Sequence, residues 1–95
     1  MNNEFEWDTD KAASNLRKHG VAFEDAQLVF SDVFALDSVD VDAGYGEIRM
    51  VITGMAKGRL LTVVYTERGE RTRIITARKG TRHEQRDYYR SQTPP

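Results

Sequence analysis

His19, Glu67, Tyr65, Arg49, Arg73 and Arg78 are the side chains whose types could hold and break a phosphodiester. RNA can be cleaved without a metal, because its own ribose 2′-hydroxyl can attack the neighbouring phosphorus. That reaction needs a base for the hydroxyl proton, an acid for the departing oxygen, and cations for the charge that builds between them. Histidine changes charge near neutral pH and suits either proton-transfer role, which makes His19 a candidate. Glu67, or Glu47, could serve as the base, since burial makes a carboxylate more basic. Arg49, Arg73 and Arg78 can each grip a phosphate through two parallel bonds. Tyr65 can stack on a base or donate a proton. Lys18, Arg71 and Lys79 add charge for holding an RNA backbone.

Each of these residues also has a plain structural role. His19 precedes Gly20 and can interact with the last carbonyls of a helix. Arg73 and Arg78 fall on alternating faces of a strand and can be ordinary solvated residues there. Arg49 can pair with Glu47, a surface bridge worth little. Tyr65 can belong to the core, Lys18 can lay its stem along the surface, and caps and helix-face pairs explain Asp8, Lys11 and Asn15. A metal-dependent nuclease is disfavoured: Asp40 and Asp42 share a strand face and could hold magnesium weakly, but Asp37 does not join them.

The stretch that must position these groups is 59–80, RLLTVVYTERGERTRIITARKG. Two runs of strand formers flank a turn at Arg68-Gly69, which predicts a hairpin. Pairing Glu67 with Glu70 sets Tyr65 opposite Thr72, Val63 opposite Ile74 and Leu61 opposite Thr76. Both hairpin faces are partly apolar, which places these strands inside a sheet. Upstream, a short strand over 5–8 leads through a cap at Asp8 or Thr9 into a helix over 10–19. Gly20 stops that helix, and a second one follows over 23–30. Alternation predicts an aspartate-rich edge strand within 33–42 and another strand over 48–53, with a turn at 43–46 between them. Thr81 and Glu84 have capping-box spacing and open a helix over 82–90, before a frayed tail at 92–95. The pattern predicts an α+β fold in one domain, 1–95. An N-terminal helical pair packs on one side of an antiparallel sheet of about four strands, and a short C-terminal helix follows.

The chain has no cysteine, which rules out disulfide and zinc–thiolate scaffolds and fits a cytoplasmic protein. No apolar run reaches the length of a membrane helix, and the polar N-terminus is unlike a secretory signal. The net charge of −1 conceals an uneven distribution. Residues 1–56 carry 4 Lys/Arg against 11 Asp/Glu, a balance of −7, whereas residues 57–95 carry 10 against 4, a balance of +6. Such a split either presents a basic surface to phosphates or lets the two halves neutralise each other.

Two stretches carry a resemblance. FEWDTDKAASNLRKHGVAFEDAQLVF is similar to the opening of the BrnT toxins of bacterial type II toxin–antitoxin pairs, and GRLLTVVYTERGERTRIITARKGTRHE resembles their second half. The resemblance spans residues 4–90 and implies a RelE-like, metal-independent ribonuclease toxin that needs no cofactor. It also implies a hetero-oligomer with a BrnA-like, ribbon-helix-helix antitoxin. The toxin would then meet DNA only through that antitoxin, on its own promoter, and would meet RNA free or on the ribosome. The acidic stretch 37–47 shows no pattern shared with the family. Two other readings use the same residues: a non-catalytic RNA- or ribosome-binding module, and a structural co-repressor partner of a DNA-binding antitoxin.

Overall fold

The computed structural model describes residues 4–40 and 47–92. The strands are β1 (Glu4–Glu6), β2 (Leu36–Asp40), β3 (Arg49–Ala56), β4 (Arg59–Arg68) and β5 (Arg71–Lys79), in the sheet order β1-β5-β4-β3-β2. The helices are α1 (Thr9–His19), α2 (Phe23–Ala26) and α3 (Arg82–Arg90). The expected turn at 43–46, the end of the strand in 33–42 with Asp42, and the tail from 93 on lie outside the described residues.

Local chemistry accounts for the helix ends. The Asp8 side chain accepts the Lys11 N–H at 3.0 Å, and Asp10 in the first turn and Arg17, Lys18 and His19 in the last suit the helix dipole. Gly20 closes α1, its N–H bonding to the Leu16 carbonyl. The capping box at Thr81 and Glu84 is complete in both directions. The second helix departs from expectation: it is α-helical only as far as Ala26 and tightens into a 3-10 turn over Gln27–Ser31. Phe23, Ala26 and Val29 are all fully buried. Their spacing of three lines up better in a 3-10 helix, where residues i and i+3 eclipse.

The sheet corrects three expectations. It has five strands rather than about four. The fifth is β1, which pairs in parallel with β5 and makes the sheet mixed. The hairpin register also differs: Arg68 pairs with Arg71, so the two-residue turn is Gly69–Glu70. Gly69 sits at φ +61°, which fits a hairpin turn whose first central residue is glycine. Tyr65 therefore faces Ile74 instead of Thr72. Finally, the pairing slips between Val64 and Tyr65, leaving Ile75 as the extra residue of a β-bulge.

Alternation along β4 turns Leu61, Val63 and Tyr65 to one face, where they share a core with Phe23 and Ala26 of α2, Val29 of the 3-10 turn and Ala12 of α1. Phe5 packs on Phe30, Phe30 on Tyr65 and Trp7 on Phe23 to complete this core. Thr62, Val64 and Thr66 point to the opposite face, called outer below. There α3 docks through Glu84, so the helices do not all lie on one side. No helix among the described residues is long and apolar enough to cross a membrane.

Both outer strands are short, and each leaves part of its neighbour's edge bare. β1 covers β5 only over Arg71–Arg73. Beyond it, the buried Asn15 amide bonds both the N–H (3.1 Å) and the carbonyl (2.9 Å) of Ala77, and also reaches the Val21 carbonyl (3.0 Å). β2 stops opposite Thr53. Beyond it, the Asp32 carboxylate accepts the Met55 N–H at 2.8 Å. Gly54 beside it has no room to spare, since a Cβ there would stand 3.0 Å from Ala35 and Val29 and 3.1 Å from Asp32. Two stability effects are expected in urea unfolding. Asn15→Ala should cost about 2–4 kcal/mol, because it strands buried backbone groups. Gly54→Ala should cost about 1–3 kcal/mol through overpacking.

Candidate functional site

The bulge at Ile75 decides which β5 side chains share a face. Before it, Ile74 is buried and Arg73 points outward; after it, Ala77 is buried and Thr76 and Arg78 point outward. Without the extra residue, Arg73 and Arg78 would alternate, as their odd and even positions suggest. With it, both stand on the outer face together with Arg49, which lies two residues from Val51, the partner of Val64.

Asn15 holds α1 along the bare edge of β5, and one side of that helix, from Lys11 to His19, borders the outer face. A cleft of about 260 Å³ results, lined by Lys11, Ser14, Lys18 and His19 of α1, with Arg49 and Thr76 of the sheet. Among the described residues, no carboxylate lines it. It brings an imidazole together with three cationic side chains, from elements that are 30 or more residues apart in the chain.

The other candidate residues fall elsewhere. Arg73 is ion-paired to Glu6 at 2.8 Å, and Arg71 to Glu4 at 3.3 Å. Arg78 donates from two nitrogens to Glu84, at 2.8 and 3.0 Å. This bidentate bond, opposed in part by burial, raises the guanidinium pKa. Lys79 is exposed at the end of β5. Tyr65 is buried on the core face and donates to Asp37 at 2.7 Å. Burial first, and then the Asp37 carboxylate, push its phenol pKa up. Glu67 is exposed near Tyr65 and lines a different cleft, of about 390 Å³, with Phe30 and Asp37. The structure thus brings together His19, Lys18 and Arg49, places Arg73 and Arg78 on the same face, and sets Tyr65 and Glu67 on the opposite one.

Sequence reasoning did not single out Lys11, Ser14 or Thr76 as cleft residues, nor Glu84 as the partner of Arg78. Glu84 gave a signal only as a helix cap. It does more here: besides the two Arg78 bonds, Oε1 accepts from Thr62 Oγ1 (3.0 Å) and the Thr81 N–H (2.8 Å), and Thr53 bonds Thr62 at 2.8 Å. On the other side of α3, Tyr88 donates to Asp32 at 2.5 Å, and burial followed by that carboxylate pushes the Tyr88 pKa up to about 12. For Asp32, the cost of burial is outweighed by bonds from Tyr88, Met55 N–H and Phe34 N–H, and its pKa is lowered.

Residues 7–84 match the family described as "Ribonuclease toxin, BrnT, of type II toxin-antitoxin system". The chain belongs to that family. No curated protein matches it. The match takes in every residue of the cleft and ends at Glu84. As a BrnT toxin the chain is a ribonuclease by family, and the toxin half of a two-component system.

The Glu84 carboxyl is held at about 2, from 4.5, by the Arg78 bonds first, against the opposing effect of burial. Its stabilising effect is complete above about pH 4.5 and disappears as the pH falls towards 2. The Arg78 side chain is 40 % exposed, so screening limits the effect to about 1–2 kcal/mol. Glu84→Gln should be less stable by that amount at pH 5–7, and the difference should shrink below pH 4.5. Urea midpoints measured across this range check it.

Proposed function

We propose that this BrnT toxin cleaves RNA without a metal ion in the cleft between α1 and the outer face of the sheet. The observation that carries this reading is the convergence of His19 with Lys11, Lys18 and Arg49 in one cleft. A phosphodiester carries one negative charge and gains a second as the 2′-oxygen adds. Fixed cations that are already in place favour that second charge more than the first. The 2′-oxygen–phosphorus bond forms and the phosphorus–5′-oxygen bond breaks, giving a cyclic phosphate and a free 5′-hydroxyl. His19 moves the proton at the reacting oxygens, and Arg49 holds the phosphate with Lys11 and Lys18 beside it. Thr76 and Ser14 offer hydroxyls to the same ligand. Arg73 and Arg78 stand on the same face, each bound to a carboxylate that offsets its charge.

A ribbon-helix-helix antitoxin of the BrnA kind neutralises the toxin in this reading. It also supplies the DNA contacts with which the pair represses its own promoter, and the toxin acts in the cytoplasm. The family's type II designation supports this pairing.

Purified toxin should cleave RNA in the presence of EDTA. His19→Ala should slow cleavage by about 100-fold or more while RNA affinity stays within about twofold. Arg49→Ala should weaken both. Absence of cleavage with and without ribosomes, together with unchanged growth on expression, would overturn the proposal.

A further inference from the structure

Seven of the ten arginines fall into two groups, one on the sheet and one on α3. Arg59, Arg71, Arg73 and Arg78 each face a carboxylate: Asp25, Glu4, Glu6 and Glu84 respectively. Arg82, Arg86 and Arg90 on α3 enter no ion pair among the described residues, and all three are exposed. They recur every fourth residue, so each stands about 6 Å further along the axis and about 40° round it. Tyr88 is buried and Glu84 half-buried, and both are tied to the body of the protein through Asp32 and through Arg78 and Thr62. Arg86 lies diametrically opposite those two on the helix, with Arg82 and Arg90 on either side of it. Neither carboxylate of α3 pairs with this stripe: Glu84 is turned inward onto Arg78, and Asp87 lies 3.2 Å from His83. Such an arrangement does little for folding. Its propensity cost is small, yet three like charges one turn apart repel each other along the helix.

The stripe lies on the cleft's side of the sheet. Glu84 docks α3 onto Thr62 and Arg78, which share the outer face with Thr76 and Arg49 of the cleft. Exposed Lys79 precedes the helix. Arg86 and Arg90 also lie beyond the part of the chain that matches the family. Tyr89 is 56 % exposed and flanks the arginines, the combination of aromatic surface and cations on which single strands are held.

We propose that the outward face of α3, formed by Arg82, Arg86 and Arg90, grips the phosphate backbone of RNA beyond the cleft. The proposal rests on RNA being the ligand of the cleft. It adds a second, sequence-independent contact area that distinguishes long strands from short ones. Guanidinium groups spaced along a rigid helix neutralise successive phosphates, and each phosphate so held releases condensed cations.

The test is RNA binding by full-length His19→Ala protein, which separates binding from cleavage, using uniform single-stranded RNA of several lengths at several salt concentrations. Arg82→Gln, Arg86→Gln and Arg90→Gln combined should weaken binding of a long strand about tenfold or more. The slope of log affinity against log salt should fall by about 2, near 0.7 for each of three phosphates. The parent's gain in affinity with strand length should largely vanish. These side chains are exposed, so circular dichroism should match that of the parent, and an all-lysine version should restore most of the slope. An unchanged slope overturns the proposal. So does a variant that keeps its RNA slope and instead loses binding to an acidic protein partner such as an antitoxin. The EDTA cleavage assay is independent of this one: loss of cleavage with the slope change intact would sink the catalytic reading and leave the α3 surface standing.

Discussion

A β-strand cannot leave its backbone donors and acceptors bare inside a protein, and this sheet has two places where that would happen. Its outermost strands are shorter than the strands they flank, so the far ends of β5 and β3 run on without a neighbour. One amide, Asn15, and one carboxylate, Asp32, stand in for the missing strands. Much of the rest depends on these two side chains. Asn15 fixes α1 against the edge of β5 and so sets how far Lys18 and His19 reach over the outer face. Asp32 joins the 3-10 turn to β3 and, through Tyr88, to α3. The two walls that frame the outer face are therefore anchored by polar bonds to strand edges as well as by apolar packing. The apolar core lies on the opposite face.

The uneven charge of the chain resolves in the same geometry. Part of the basic second half is neutralised by the acidic first half, because the parallel pairing of β1 with β5 sets Glu4 and Glu6 beside Arg71 and Arg73. Another part is neutralised within the second half by Glu84. Lys11 and Lys18 of α1 and Arg82, Arg86 and Arg90 of α3 flank the outer face. A surface pair contributes little to stability, but the sorting of paired from unpaired arginines determines where a polyanion meets an attractive field.

Most helices and strands were legible in the sequence because their signals are local: Asp8 and Gly20 bound α1, Thr81 and Glu84 open α3, and alternation marks β3. What escaped was set at long range or by a single residue. The parallel pairing of β1 joins segments more than 60 residues apart, and a run of three residues gives no hint of its neighbour. The hairpin register turned on whether Gly69 takes the first or the second place in a two-residue turn, and both readings satisfy a rule that only asks for glycine. Of the candidate site, His19, Lys18 and Arg49 could be named by type, and their meeting could not be read because it depends on Asn15. A polar residue on an apolar-facing helix turn looks like a surface residue until the strand edge it completes is known. Tyr65 fits a hydroxyl with a catalytic role and a core aromatic equally well by sequence. Its position in β4 puts it against Phe30 and Asp37.

The surplus residue in β5 has a consequence for how this chain can vary. Ile75 keeps the two halves of the strand out of phase, so that arginines at an odd and an even position look the same way. Deleting it would bring the halves into step. Either Arg73 would then turn towards Phe5 and Phe30, or Ala77 would swing out and take its backbone away from Asn15. A single-residue gap in this strand, which would pass for a trivial length change in a loop, would exchange inside and outside over one half of β5. Length at this point is constrained as strictly as the identity of any side chain.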